Sequence, residues 1–328
     1  MHIRHTGAPT VALFGSVLSS RPRAGCCLQL WDANVAGSEH LHALRAQAFP
    51  TSRCRSRRRT SDRPMCTTCG TQWDERPQPP DHCPICSDDR QYVAPTGQRW
   101  TTHEELATTH RVRIERDGDL LGIGITPAFA IPQRALVLAT DIGNVLWDCT
   151  SLVTPEAVDA LAAIGGIDVI AISHPHFYSA MVEWSDALGG SRIMLHADDA
   201  VWIQRTSPAI ELWHGDEHSL SPTLHLYRCA GHFPGSCLLH WTGAPNGRHV
   251  ILAGDTLHVT ADRRHVTFMY SVPNYVPAHP DHVKRTRARL ADLPIDDIYG
   301  FTWGLNVIGD GRAALDASID RYLAAVGH

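Results

Sequence analysis

The 328-residue chain predicts an α/β fold, with packed sheets covered by helices on the outside, preceded by a small four-cysteine segment. From about residue 111 onward, strand-like apolar runs bounded by turn residues alternate with helix-period stretches, the pattern of sheets buried beneath helices. Ahead of them, residues 66–86 hold two Cys-x-x-Cys pairs in a stretch too short to build a hydrophobic core of its own.

Composition sets the outer bounds. Hydrophobic residues make up 43% and charged residues 19%, the balance of an ordinary globular protein. No apolar run approaches the roughly 18–20 residues that span a bilayer, so no membrane partner is expected. Lys284 is the lone lysine among 29 cationic residues, which fits a GC-rich coding sequence better than a physical adaptation. Ten arginines fall within residues 1–64 against three acids (Asp32, Glu39, Asp62), whereas the rest of the chain is acidic. "SRCRSRRRTSDRP" has no apolar period, and nothing in residues 1–64 buries enough surface to offset its ordering entropy. That stretch reads as disordered, or as translated upstream sequence with Met65 the true start. A signal peptide, a transit peptide and a nucleic-acid arm are the rival readings. Arg21 and Arg23 stand where a signal cleavage site belongs, and the acidic domain that follows speaks against nucleic acid. A cytoplasmic protein without a nucleic-acid partner is therefore expected, its oligomeric state left open.

Cys66 and Cys69, then Cys83 and Cys86 after thirteen intervening residues, are spaced to turn four thiolates toward one tetrahedral ion. Gly70 suits the tight turn after the first pair. Two disulfides, which need an oxidising compartment, or a redox dithiol are the alternatives. Four thiolates leave no open position, so a Zn²⁺ held there is structural and supplies folding free energy. This zinc-ribbon-like segment is assigned residues 65–100. Cys149, Cys229 and Cys237 lie in apolar surroundings and read as core residues, while Cys26, Cys27 and Cys54 belong to the N-terminal stretch.

Within residues 101–328, strands are expected at "RVRIERD", "LLGIGITPAFAI", "RALVLAT" and "NVLWDC". "TPEAVDALAAIGG" reads as a helix, with Thr154 as N-cap, Pro155 in the first turn and Gly165 near the stop. "IDVIAIS" is a buried strand, "SAMVEWSDALGG" a helix and "RIMLHA" a strand. "LHLYRCA", "SCLLHWT" and "HVILAGD" follow as strands, and "DGRAALDASIDRYLAAV" closes the chain as a helix.

Four stretches carry the chemistry in order: "VLWDCTS", "AISHPHFYS" with His174 and His176, "GHFPGS" with His232, and "LAGDT" with Asp255. His174 and His176, two apart on extended chain, project to one side, so their rings can converge. Together these stretches resemble the metallo-β-lactamase superfamily, matching its strand ending in Asp, its His-x-His-x-Asp-His, its Gly-His-x-Pro-Gly-Ser and its Gly-Asp-Thr turns. The resemblance implies an αββα sandwich with a metal site on loops at one edge. It makes His174, His176 and His232 ligands, and Asp255 the carboxylate that bridges both ions in two-metal relatives. Two positions depart: Tyr178 stands for the family's Asp and Ser179 for its His, and "IYGFTWG" occupies the place of a last His. The second metal thereby loses most of its ligands. The cysteine segment resembles a zinc ribbon, and also rubredoxin, the short gap favouring the ribbon.

The expected centre is therefore mononuclear: Zn²⁺ on His174, His176 and His232 with Asp255, and a water whose pKa falls to about 7. Asp255 is a fourth ligand or the base on that water. Tyr178, if turned inward, donates to a developing oxyanion; otherwise it is a packed aromatic. The expected function is a metal-dependent hydrolase acting on a small-molecule ester, thioester, lactone or phosphoester. The alternatives are an iron-dependent oxidoreductase with a rubredoxin-like four-cysteine centre, or a non-catalytic binding protein of the same fold. His196, Asp198 and Asp199 are expected behind the ligands. Phe177, Trp184, Tyr270 and Trp303 are candidate pocket walls, with Arg263 or Arg264 for an anionic group. His214, His218, His258, His265, His279 and His282 read as surface or packing residues.

Overall fold

Seven strands follow one another across the first sheet: Arg111–Asp117, Leu120–Thr126, Ala135–Thr140, Gly143–Trp147, Val169–Ala171, Arg192–His196 and Ile210–Trp213. The first four pair antiparallel, and the last three are added parallel after longer crossovers. A second, six-stranded sheet comprises Glu217–Ser221, Leu224–Arg228, Cys237–Trp241, Val250–Leu252, Asp297–Tyr299 and Asn306–Ile308. It is antiparallel except where Val250–Leu252 meets Asp297–Tyr299. The computed structural model describes residues 63–328, and all of them fall in one compact unit.

Period-two alternation decides which face turns where. Leu136 and Leu138 join Leu226, Leu239, Trp241 and Leu252 between the two sheets, whereas Ala135 and Val137 face the opposite way. That outer face buries Ala157 and Leu161 of helix Pro155–Ala162, and Met181, Val182 and Trp184 of helix Met181–Ala187. On the far side, Ile251, Ile298 and Val307 pack against helices Pro280–Leu290 and Gly311–Ala325. Each buried leucine is worth about 1.5–3 kcal/mol over an exposed one, so a one-residue slip of register would forfeit several at once. The layers run helix, sheet, sheet, helix, as expected.

Local signals hold where they were strong. Thr154 caps its helix by accepting from Ala157 N at 3.3 Å, with Pro155 in the first turn. Among the described residues, the one-turn helix Pro84–Ser87 and two longer helices lay outside the expectation. His103–Thr109 carries a reciprocal cap, Glu105 N to Thr102 Oγ1 at 3.2 Å and Thr102 N to Glu105 Oε2 at 3.1 Å. Pro280–Leu290 buries only Val283, Thr286 and Leu290, a narrow stripe among basic residues.

The sheets are tied together by a buried polar knot. Arg134, 1% exposed, pairs through Nε with the Asp117 carboxylate. It also donates to Gly300 O at 2.7 Å and Asn306 Oδ1 at 2.9 Å. Asn306 Nδ2 and Gly304 N return to Asp117 at 2.7 and 3.0 Å. With every charge satisfied, the knot fixes the loop that leads from Tyr299 to Asn306.

At the N-terminal end, Met65–Cys66 pairs antiparallel with Trp100–Thr101, and the cysteine segment folds between them. It docks on the sandwich through Gln72 N to Ser179 O at 2.9 Å and Ser151 Oγ to Gly70 O at 2.9 Å. Gly70 sits at φ +81°, and a Cβ there would lie 2.3 Å from Ser151 Oγ, so only glycine fits. Of residues 1–64, Arg63 and Pro64 are described: Pro64 O accepts from Trp73 N at 2.9 Å, and Arg63 lies 3.5 Å from Glu183. The expectation for the rest of that stretch lies outside the described residues, as do Cys26, Cys27 and Cys54. Cys149, Cys229 and Cys237 are buried. No helix among the described residues is long and apolar enough to cross a membrane.

Candidate metal centre

Three loops at one edge of the sandwich each deliver part of the site. Strand Val169–Ala171 runs out through Ser173 to His174, whose backbone is extended, and Pro175–Phe177 then makes a single tight turn. The expected convergence of His174 and His176 thus has a different cause from alternation along extended chain. Pro175, with φ fixed by its ring, opens a turn that brings the rings to 5.2 Å. His232 comes from the turn between Leu224–Arg228 and Cys237–Trp241, where Gly231 takes φ +90°. Asp255 follows Val250–Leu252 after Gly254, where a Cβ would stand 2.5 Å from the Ser173 side chain.

The four side chains meet, each offering one ligand atom within 4.8 Å of the others. His232 Nε2 is 3.0 Å from His176 Nδ1, and Asp255 Oδ2 is 3.5 Å from His174 Nε2 and 3.7 Å from His232 Nε2. Ligands about 2.0–2.1 Å from a tetrahedral Zn²⁺ stand about 3.3 Å from one another, the middle of that range. His174 Nε2 and Asp255 Oδ1 are buried without a hydrogen-bond partner. Such orphans cost about 1–3 kcal/mol each unless something else satisfies them, and a cation does.

Neighbouring groups fix which nitrogen carries the lone pair. Ser173 Oγ donates to Asp148 Oδ1 at 2.7 Å, so at 2.9 Å it accepts from His174 Nδ1–H and leaves Nε2 free. His232 Nδ1–H donates to Tyr270 O at 2.7 Å, with the same result. Burial, together with His174, pushes the His232 imidazolium down to about 4, and burial with His232 lowers His176 as well. Burial would raise the Asp255 carboxyl, but His174, His232 and His258 outweigh it and hold it below its ordinary value. Neutral imidazoles around one carboxylate are a donor set for a divalent cation.

The cysteine site has the same logic. Cys66 Sγ lies 3.5 Å from Cys86 Sγ and Cys69 Sγ lies 3.7 Å from Cys83 Sγ. These separations are too long for disulfides, whose S–S bond is about 2.05 Å, and close to the roughly 3.8 Å between thiolates on one tetrahedral zinc. All four are buried free cysteines. The other sulfurs favour ionisation of Cys66 and oppose it at Cys69 and Cys86, so a cation is what allows four thiolates together.

YmaE of Bacillus subtilis (strain 168), an uncharacterized protein, is 39% identical over 265 residues, which cover 80% of this chain and 96% of YmaE. The chain belongs to the YmaE family. No family model matches it. Among solved structures, the metallo-β-lactamase SMB-1 in complex with mercaptoacetic acid is 16% identical, covering 64% of this chain and 95% of that one at TM-score 0.42. MEM-A1, a subclass B3 metallo-β-lactamase from a soil metagenome library, is 16% identical with coverages of 64% and 94% at TM-score 0.44. The class B3 di-zinc enzyme LRA-12 from an Alaskan soil metagenome is 17% identical with coverages of 65% and 92% at TM-score 0.42. The helix–sheet–sheet–helix layering of this YmaE-family chain, with its ligand motifs gathered at one edge, agrees with the metallo-β-lactamase resemblance.

Other expected residues are placed elsewhere in the YmaE-family fold. The structure does not bring Tyr178 to the cluster, because its buried hydroxyl donates to Asp199 O at 3.2 Å. Ser179 Oγ accepts from Gln133 Nε2 at 2.9 Å, and neither residue joins the four converging side chains. His196 is engaged with Gly215 O at 2.9 Å, and exposed Asp198 faces Arg228 at 3.4 Å. Asp199 supports the His232 turn by accepting from Gly235 N at 2.8 Å. A Cβ at Gly235 would lie 2.7 Å from Asp199 Oδ2, so Gly235→Ala is expected to cost about 1–3 kcal/mol, read as a lowered Tm.

A cavity of about 280 Å³ opens above His176 and Asp255, walled by Ala130, Ile131, Pro132, Val272, Pro273 and Phe301. Thr302, and Thr68, Gln91 and Tyr92 from the cysteine segment, complete it. The aromatic walls expected from the sequence are not these. Phe177 packs behind His174 at 4.4 Å, Trp184 donates to Thr150 O, Tyr270 donates its hydroxyl to Asp89, and Trp303 lies over Arg113. Arg263 and Arg264 stand on an exposed turn, and neither lines the cavity. His258 is expected from the sequence as a surface or packing residue. It is half-buried three residues after Asp255, its Nδ1 without a partner and its ring 5.1 Å from that of Phe301.

Proposed function

We propose that this YmaE-family protein is a metal-dependent hydrolase of small, uncharged acyl compounds (esters, thioesters or lactones), with one Zn²⁺ on His174, His176, His232 and Asp255 and a second, structural Zn²⁺ on the cysteines. The observation that carries the reading is the convergence of three imidazoles and a carboxylate, three of their atoms (His174 Nε2, His176 Nε2 and Asp255 Oδ1) buried and unpartnered, at the floor of a cavity. When bound, the ion supplies Lewis acidity toward water and carbonyl oxygen.

The chain's own residues do the rest. Ser173 and Tyr270 hold the His174 and His232 rings with their lone pairs facing inward. Asp255 Oδ1, free of protein partners, is available to orient a water and accept its proton. Ile131, Pro132, Val272 and Phe301 exclude bulk water and receive an apolar acyl chain. Among the described residues no lysine or arginine lines the cavity, which favours an uncharged acyl group over a phosphoester.

The test is elemental analysis of the purified protein with hydrolysis assays on p-nitrophenyl acyl esters, acyl thioesters, lactones and bis-p-nitrophenyl phosphate. Two zinc ions per chain, no visible colour, and acyl turnover removed by chelator and restored by zinc are expected. A fully loaded protein that is inert, or prefers the phosphodiester, overturns the proposal. Red thiolate-to-iron absorption would favour the iron oxidoreductase instead.

A further inference from the structure

Two of the contacts that hold His232 lead to the turn that follows the second cysteine pair. Asp88 closes the short helix Pro84–Ser87 two residues after Cys86, its N–H returning to Pro84 O. The Asp88 carboxylate receives Arg90 in fork geometry, Nε to Oδ1 at 2.5 Å and Nη2 to Oδ2 at 2.8 Å. The remaining arm, Nη1, donates to the backbone carbonyl of His232 at 3.2 Å. The guanidinium also lies 4.0 Å from the ring of Phe233, which stands edge-on to His176 and His232 at 4.9 and 5.1 Å.

The His232 ring is held by the carbonyl of Tyr270, and the Tyr270 hydroxyl donates to Asp89 Oδ1 at 2.7 Å. Ser271 Oγ donates to Arg90 O at 2.9 Å, and Asn274 Nδ2 donates to Asp89 O and Gln91 O at 3.1 and 3.0 Å. Docking of the cysteine segment does not depend on this turn, since Gln72, Gly70 and Arg205 attach it elsewhere. All three nitrogens of Arg90 are engaged with protein oxygens, and Arg90 does not line the cavity.

We infer that Arg90 is a positioning residue for the histidine centre, and that the filled cysteine site, by fixing the Asp88–Arg90 turn, sets how tightly that centre holds its ion. This rests on the metal-centre reading above. The test uses the full chain with Co²⁺ as probe. Thiolate ligation gives an intense near-ultraviolet band that imidazole and carboxylate ligation lacks, so the two centres titrate separately. Arg90→Met is expected to weaken Co²⁺ at the histidine centre by roughly 10–100-fold, the usual loss when a group supporting a ligand is removed. The thiolate band stays at one equivalent, and Arg90→Lys recovers part of the affinity. Unchanged affinity in Arg90→Met overturns the inference, including where its Tm falls, since that marks a purely structural role. A parent protein that takes up Co²⁺ only at the cysteines instead overturns the metal-centre reading, and the inference with it.

Discussion

His176→Ala is expected to leave a folded chain holding one metal ion where the parent holds two, with metal-dependent turnover at background. His176 supplies one of four converging ligand atoms, its Nδ1 only 3.0 Å from His232 Nε2. Losing a group that merely supports a ligand costs roughly 10–100-fold in affinity or activity, so losing the ligand itself exceeds about 100-fold. The fold survives because burial and the neighbouring histidines keep this imidazole neutral, and its removal strands no charge. The site lies on a loop at the sandwich edge, outside the layer between the sheets. Elemental analysis beside a thermal melt decides it: two ions retained by a cooperatively folded variant would remove His176 from the centre.

Cys69→Ser is expected to release the other ion and melt the segment around it, lowering stability by several kcal/mol and Tm on the order of 10 °C. The buried core of that segment consists of the four cysteines with Trp73 and Ile85. An ion bridging the sulfurs would therefore sit at the centre of its packing, and structural zinc sites in peptides contribute about 10–16 kcal/mol at neutral pH. Calorimetry with metal analysis checks this. A variant that melts with the parent would show that the thiolates are dispensable to folding.

What the sequence disclosed was local. Thr154 and Pro155 announced a helix start, the two Cys-x-x-Cys pairs and His174 with His176 stood in recognisable short spacings, and His232 stood in its own short motif. Helix Pro280–Leu290 was hidden because its three inward residues are outnumbered by charged neighbours. Strand Asp297–Tyr299 was hidden because three residues show no alternation. The direction of a side chain was legible only with its packing. Tyr178 turns to Asp199, and Trp184 enters the core, for reasons that lie on other segments of the chain. The contact between Arg90 and His232 spans 142 residues and leaves no local trace. His258 stood in plain view three residues after Asp255, yet a lone histidine carries no pattern until its neighbours are known.

The knot around Arg134 has a consequence for how the molecule is made. Asp117 and Arg134 emerge from the ribosome long before Gly300, Gly304 and Asn306, which complete their bonding. Pairings so distant in sequence form slowly, and until they do a guanidinium destined for the interior must stay hydrated. Phe301 and Thr302 travel on the same loop, so the chamber over the histidines is sealed only after that loop has followed them out. A chain stopped just before that loop would carry all four converging side chains and no finished cavity above them.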